Sequence, residues 1–225
     1  MLVVARRDRA FTLVELLVVI TILGLLMSLL LPAALAAQRA ARRALCSAQL
    51  HAVGVGMVQY AASHRYYPPY GSSQINRARN YLLTNPPSVE DWSVLYSDGK
   101  LSTDQVLFCP AMTSATHQYD NPQNAWITGS LRTGYSRRYL PVNAITGLTH
   151  VSQIGEGQVL AADLVISPSW VSFQHIFGIN VLYAGGSVEF RTDALDLFAS
   201  AGLADDTAAS NDQIDQVWNA LYHKP

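Results

Sequence analysis

From Phe11 to Leu31 the chain reads FTLVELLVVITILGLLMSLLL, about 21 residues in which Glu15 is the only charged group. A helix rises 1.5 Å per residue, so a run of that length reaches across the roughly 30 Å hydrocarbon core of a bilayer. A carboxylate within such a core costs roughly 2.5–3.5 kcal/mol on insertion scales. Whatever this chain folds into must therefore place a long apolar rod out of water and account for one acid inside it.

Three readings compete for the run. The first is a plain membrane anchor. The second is a secretory signal: arginines at 6, 7 and 9 precede the run, and Ala34-Leu35-Ala36 follows as an A-x-A cleavage pattern. That reading leaves Glu15 unexplained, and the run exceeds the usual 7–15 apolar residues of a signal peptide. The third supposes a cut just before Phe11, which creates a free amine four residues upstream of Glu15. On a helix the two groups share a face about one turn apart. They can neutralise each other within one chain, or the amine of one chain can meet Glu15 of the next. A buried charge persists when it is paired.

The stretch AFTLVELLVVITILGLLMSLLLPA resembles the N-terminus of type IV prepilins and type II secretion pseudopilins. Phe11, Thr12, Leu13 and Glu15 match in place, and Pro32 falls near the proline common in that helix. The resemblance implies cleavage between Ala10 and Phe11 by a prepilin peptidase, then N-methylation of Phe11. It casts Glu15 as the assembly residue. Where the family usually has Gly before the cut, this chain has Ala10. The implied partners are the peptidase/N-methyltransferase, other pilin or pseudopilin subunits, an inner-membrane assembly platform and the lipid bilayer. The implied location is the inner membrane, single-pass, with the head in the periplasm or on the cell surface. Charge alone orients the span only weakly, because Arg39, Arg42 and Arg43 after it balance the three arginines before it.

Beyond Pro32 the Ala-, Arg-, Gln- and Leu-rich text favours helix. Leu35, Ala41, Leu45, Ala48, Val53, Met57 and Tyr60 recur at roughly helical spacing. One helix is expected from about Thr12 to Ala62, softened at Gly24 and Pro32 and weakened by Gly54 and Gly56. The expected organisation is a basic leader over 1–10, a long helix over 11–63 with its membrane segment at 11–31, and a head over 64–225. HRYYPPYGSS marks the turn out of the helix. DWSVLYSDGKLSTDQVLFCPA predicts a short helix and a turn at Asp98-Gly99. Gln158–Ile166 reads as a buried strand. Ile179–Arg191 reads as two strands around a two-residue Gly185-Gly186 loop. Ile214, Val217, Trp218 and Leu221 form an amphipathic stripe capped by Ser210 or Asn211. The fold class is α+β: a long N-terminal helix on a small antiparallel sheet, pilin-like.

The second half resembles a planctomycete-type prepilin-like group that ends in His, nine residues, then Asp-Gly. Here His175 is followed by nine residues and Gly185-Gly186, within NVLYAGGSVEF. LFCPA around Cys109 and YAASHRYYPP after the helix also resemble that group. Replacing the Asp by Gly185 keeps the turn and removes a partner for His175.

Little else suggests chemistry. A net charge of −1 gives no reason to expect nucleic acid. Six histidines are scattered without a zinc-type spacing, so neither metal nor cofactor is expected. Cys46 and Cys109 can pair if the chain is exported. Cys109 before Pro110 lacks a nucleophile signature, and Asp163 reads as a lone strand acid. Asp205, Asp206, Asp212 and Asp215 lack calcium-loop spacing. Tyr66, Tyr67 and Tyr70 beside two prolines read as packing against the helix. No catalytic residue is assigned. The reading is a structural pilin or pseudopilin subunit, not an enzyme. The rival is an exported or membrane-anchored periplasmic ligand-binding or enzymatic domain for which residues 1–36 only target. The mature chain would start at Phe11 in the first case, at Ala37 after signal cleavage, and at Met1 for a plain anchor.

Overall fold

The structure, a computed structural model, describes residues 12–69, 82–84, 92–119, 121–124, 130–140, 149–165, 169, 174–175, 177–203 and 210–222. The leader over 1–10, Phe11, Tyr70, Ile166, Asp205 and Asp206 lie outside them.

Helix α1 runs unbroken over Leu13–His64, 52 residues, with Pro32 inside it. Its start is fixed by side chains. Thr12 Oγ1 accepts from the Glu15 backbone N–H at 3.2 Å, and Glu15 Oε2 accepts from the Thr12 N–H at 2.8 Å. These reciprocal bonds are a capping box, which satisfies two helix-end donors at once. The helix ends at Arg65, whose φ of 66° turns the chain out through the left-handed region. Its N–H still reaches Ala61 O at 2.8 Å, as in an αL cap. Tyr67 then donates to Thr149 O at 2.9 Å, tying the exit to the head.

Every residue from Thr12 to Leu45 is exposed, and burial begins at Cys46. The buried stripe is Cys46, Leu50, Val53, Met57 and Tyr60, a 4-3-4-3 spacing. The expected stripe was out of phase at its start: Leu35, Ala41, Leu45 and Ala48 are exposed. Gly54 and Gly56 lie on the packed side as well. A Cβ on Gly54 would sit 2.7 Å from Leu182 Cδ1, and one on Gly56 would sit 3.1 Å from Lys100 O. They are places of close approach, which outweighs their cost to helix propensity.

Four strands form one antiparallel sheet in the order β3 (Tyr135–Arg137), β4 (Val159–Asp163), β5 (Ile179–Tyr183), β6 (Val188–Arg191). A separate pair, β1 (Leu82–Thr84) and β2 (Ser130–Arg132), is also antiparallel. Helix α2 (Trp92–Ser97) precedes a left-handed Gly99 at the expected turn. Strands β3, β4 and β5 are buried on both faces, and β6 is partly exposed. One face, with Leu160, Ala161 and Leu182, packs in a core with the α1 stripe and Trp92. The other, with Val159, Ala162, Val181 and Tyr183, packs with Phe198 of α3 (Ala194–Ser200) and Ile214, Val217 and Trp218 of α4 (Asn211–Ala220). Val159 pairs with Tyr183 but Ala161 with Leu182, so Leu160 is an extra residue, a β-bulge. The bulge puts Leu160 and Ala161 on the same face and lets both join the α1 core.

The β5–β6 connection departs from a two-residue loop. Gly186 N donates to Tyr183 O, and Tyr183 N donates to Ser187 O, both at 2.9 Å. Only Gly186 has positive φ, 89°. This is a turn closed by a left-handed glycine. The arrangement is α+β, a long N-terminal helix with a small antiparallel sheet. By compactness the chain divides into Met1–Ala41 and Arg42–Pro225, the second unit taking in the outer part of α1.

Trp218 is 1% exposed in the second core. Trp218→Ala is expected to destabilise the head by about 3–5 kcal/mol. Glu189→Ala on the exposed part of β6 should stay within about 0.5 kcal/mol. Denaturant midpoints of the two variants check this.

Candidate functional site

Two places gather the residues singled out by the sequence. The first is the start of α1. Ala10 and Phe11 lie outside the described residues. Glu15 is held by the residue that follows Phe11: its Oε2 takes both the N–H and the hydroxyl of Thr12, each at 2.8 Å. The T-x-x-E pattern before an apolar run is a legible capping-box signature; the sequence reading passed over it in favour of pairing with an amine. Ala34-Leu35-Ala36 lies within α1.

The second is a buried polar cluster around a disulfide. Cys46 on α1 is bonded to Cys109, with Cα atoms 5.1 Å apart and a sequence separation of 63. His175 Nε2 lies 3.7 Å from Cys109 Sγ. The same nitrogen is 3.2 Å from Asp163 Oδ2 and 3.0 Å from Asn180 Nδ2. Asn180 donates its backbone N–H to Asp163 Oδ2 at 2.5 Å and its amide at 3.0 Å. The side chains of His175 and Asp163 are 2% and 0% exposed.

Each member is positioned by the sheet. Asp163 ends β4 opposite Tyr135 of β3. Asn180 alternates with Ile179 and Val181, which face the second core, so its side chain falls on the α1 face. Gln174 locks the preceding segment: Leu164 donates to its Oε1 at 2.9 Å, and its Nε2 donates to Gly134 O. Tyr135 OH donates to Cys46 O at 3.1 Å and Gln49 Oε1 at 3.0 Å. Burial, and next the Asp163 carboxylate, raise the Tyr135 phenol well above its ordinary value. It therefore stays protonated and able to donate. At the rim, the His175 ring meets Phe190 edge-on at 5.9 Å, and Arg43 of α1 lies 4.5 Å over Phe190. Arg–aromatic stacking of this kind adds about 0.5–1 kcal/mol at an exposed site.

This geometry revises two expectations. Asp163 is not a lone strand acid, since it holds His175. The residue at 185 is not the partner of His175. Position 185 lies past the Tyr183 end of β5, and His175 precedes the Ile179 end, about 13 Å away along a strand. Gly185 instead donates its N–H to Glu156 O at 3.0 Å. The cluster also lacks the layout of a cysteine–histidine–acid triad. Cys109 is in a disulfide, and sulfur and carboxylate both approach Nε2, whereas a triad puts the acid on the other ring nitrogen. Tyr67 is buried, and Tyr66 packs near Tyr60 with ring centroids 6.1 Å apart. Asp212 sits in the first turn of α4, beside a Ser210–Gln213 capping box, where an acid suits the helix dipole.

Residues 5–31 match the family described as the prokaryotic N-terminal methylation motif. Residues 35–95 match a family described as a protein of unknown function (DUF1559). Both matches end before β2, so the four-stranded sheet with Asp163, His175 and Asn180 lies outside them, while Cys46 falls within the second. No curated protein and no solved structure matches the chain. The N-terminal part of the chain is prepilin-like, and its helix is long and apolar enough to anchor in a membrane.

His175→Ala leaves the buried Asp163 carboxylate without its ring partner and is expected to cost about 3–5 kcal/mol. Gly185→Asp should cost within about 0.5 kcal/mol, because φ there is not positive and the nearest atoms a Cβ would meet, Glu156 Cβ at 3.4 Å and Glu156 O at 3.5 Å, are at ordinary contact distance. Unfolding midpoints of the two variants separate a structural His175–Asp163 pair from a His175–residue 185 pair.

Proposed function

We propose that this prepilin-like chain is a structural subunit, a pilin or pseudopilin, of a type IV pilus-like or type II secretion-like filament. Prepilin peptidase cuts between Ala10 and Phe11, and Phe11 is then N-methylated. The observation that carries the reading is the methylation-motif match over residues 5–31. The complete exposure of α1 from Thr12 to Leu45 supports it, because that surface calls for lipid or other subunits. The span anchors the chain in the inner membrane, with the head in the periplasm or at the cell surface. The partners are the processing enzyme, the assembly platform and other subunits. The head carries no catalytic role, in keeping with the generally structural nature of prepilin-like proteins. The Cys46–Cys109 bond ties the helix to the head.

Glu15 has two roles in this account. In the single chain it caps α1 through Thr12. In the filament its carboxylate pairs with the N-terminal amine of a neighbouring subunit. The exchange of partners keeps the buried charge satisfied in both states.

Two substitutions separate the roles. Gln can serve in a capping box but cannot form the ion pair. Glu15→Gln should therefore keep the cap, stay at normal level in the membrane and be absent from sheared filaments. Glu15→Leu should behave alike in filaments and lose the cap as well. Normal incorporation of Glu15→Gln would show that the cap suffices and would remove the pairing role.

A further inference from the structure

In the structure Cys46 and Cys109 are oxidised, and a disulfide sulfur is a poor metal ligand because the ligand is the thiolate. The dithiol form of the same site is different. Cys46 Sγ, Cys109 Sγ and His175 Nε2 lie within 4.8 Å of one another. We propose that the dithiol form binds one thiophilic divalent cation of the zinc class through Cys46, Cys109 and His175, and that Asp163 Oδ1 closes in as fourth donor.

The distances carry this. Zinc bonds of about 2.3 Å to sulfur and 2.0–2.1 Å to nitrogen or oxygen give tetrahedral edges of about 3.6 Å for S···N and 3.3 Å for N···O. Cys109 Sγ to His175 Nε2 is 3.7 Å, which matches the S···N edge, and Asp163 Oδ2 stands 3.2 Å from the same nitrogen, which puts the carboxylate beside the site. Reduction frees the two sulfurs to separate toward the corresponding S···S edge of about 3.8 Å. An independent observation points the same way. Asp163 is 0% exposed, yet among the described residues its Oδ1 has no hydrogen-bond partner, a condition that a bound cation relieves. Asn180 already fixes the other oxygen through two N–H groups, the support that ligating carboxylates receive in metal sites. The surroundings are dry: Cys46 is 0% and Cys109 3% exposed.

The chemistry balances through two steps. A dithiol reductant exchanges with Cys46–Cys109, closes its own disulfide, and leaves two thiols. The cation then displaces the two thiol protons to solvent. Chains made in a reducing compartment start in the dithiol form. The cation would then hold α1 to the head across 63 residues until oxidation replaces it with the covalent bond. Nothing in this site depends on whether the chain assembles into filaments.

The test uses the full-length chain in detergent micelles, reduced anaerobically with a phosphine and titrated with cobalt(II). One equivalent should give a thiolate-to-cobalt charge-transfer band and d–d bands of tetrahedral intensity, both abolished by added zinc. The oxidised chain and Cys46→Ser should give neither tetrahedral signal. Asp163→Asn should weaken binding about 10–100-fold, and His175→Ala should lose the tetrahedral bands. Cooperative melting of Cys46→Ser and of the oxidised Asp163→Asn and His175→Ala variants establishes that each folds. Where a variant fails that check, zinc-edge absorption of the wild-type chain decides, with two sulfur and two nitrogen or oxygen neighbours expected. Absence of the charge-transfer band in the reduced wild type would overturn the proposal. So would an unchanged spectrum and affinity in folded His175→Ala, or a zinc first shell without sulfur.

Discussion

The apolar surface of α1 between Leu13 and Leu31 finds no cover in its own chain. Leu13 is 79% exposed, Leu29 75% and Leu30 66%, with little relief between them. A fully buried large aliphatic side chain gains about 1.5–3 kcal/mol over an exposed one, so the run forgoes on the order of 20 kcal/mol in water. That is more than the whole net stability of a typical domain. The chain therefore requires lipid or other helices around its N-terminal half. The Thr12–Glu15 box matters for the same reason, because a helix end in an apolar medium has no water to satisfy its N–H groups.

The second half of the same helix obeys the opposite rule. From Cys46 onward one stripe is buried against the sheet, and two glycines bring the backbone close enough for Leu182 and Leu101 to press on it. The disulfide adds a covalent constraint at the first buried turn. Closing a loop of 63 residues limits the unfolded chain by about 4 kcal/mol in the chain-entropy account. Beside that bond lies a buried polar cluster. His175 and Asn180 gather on Asp163 Oδ2 there, and Tyr135 reaches back to the helix carbonyl of Cys46. Helix, sheet and cross-link thus meet at one level of the head.

Local patterns were legible. The Ile214, Val217, Trp218 and Leu221 stripe, the Val159 and Ile179 strands, and the Asp98-Gly99 turn all follow from period and turn chemistry, and each is present. Long-range features were not. The bulge at Leu160 depends on which strand lies opposite, which no local pattern encodes. The helical stripe was read one residue out of phase near Leu45 because Ala-rich text is apolar on every face. The partner of His175 was sought ten residues away in sequence. It lies twelve residues upstream, on the neighbouring strand.

The filament reading turns on how the chain's first residues are processed. The same apolar run serves a filament subunit, a signal peptide or a plain anchor, and only the mature terminus distinguishes them. Intact-mass analysis of the chain purified from the membrane fraction reads it directly. The account predicts a mature chain beginning at Phe11 and heavier by one methyl group, with residues 1–10 removed. A chain beginning at Ala37, or one retaining Met1 through Ala10, would contradict it.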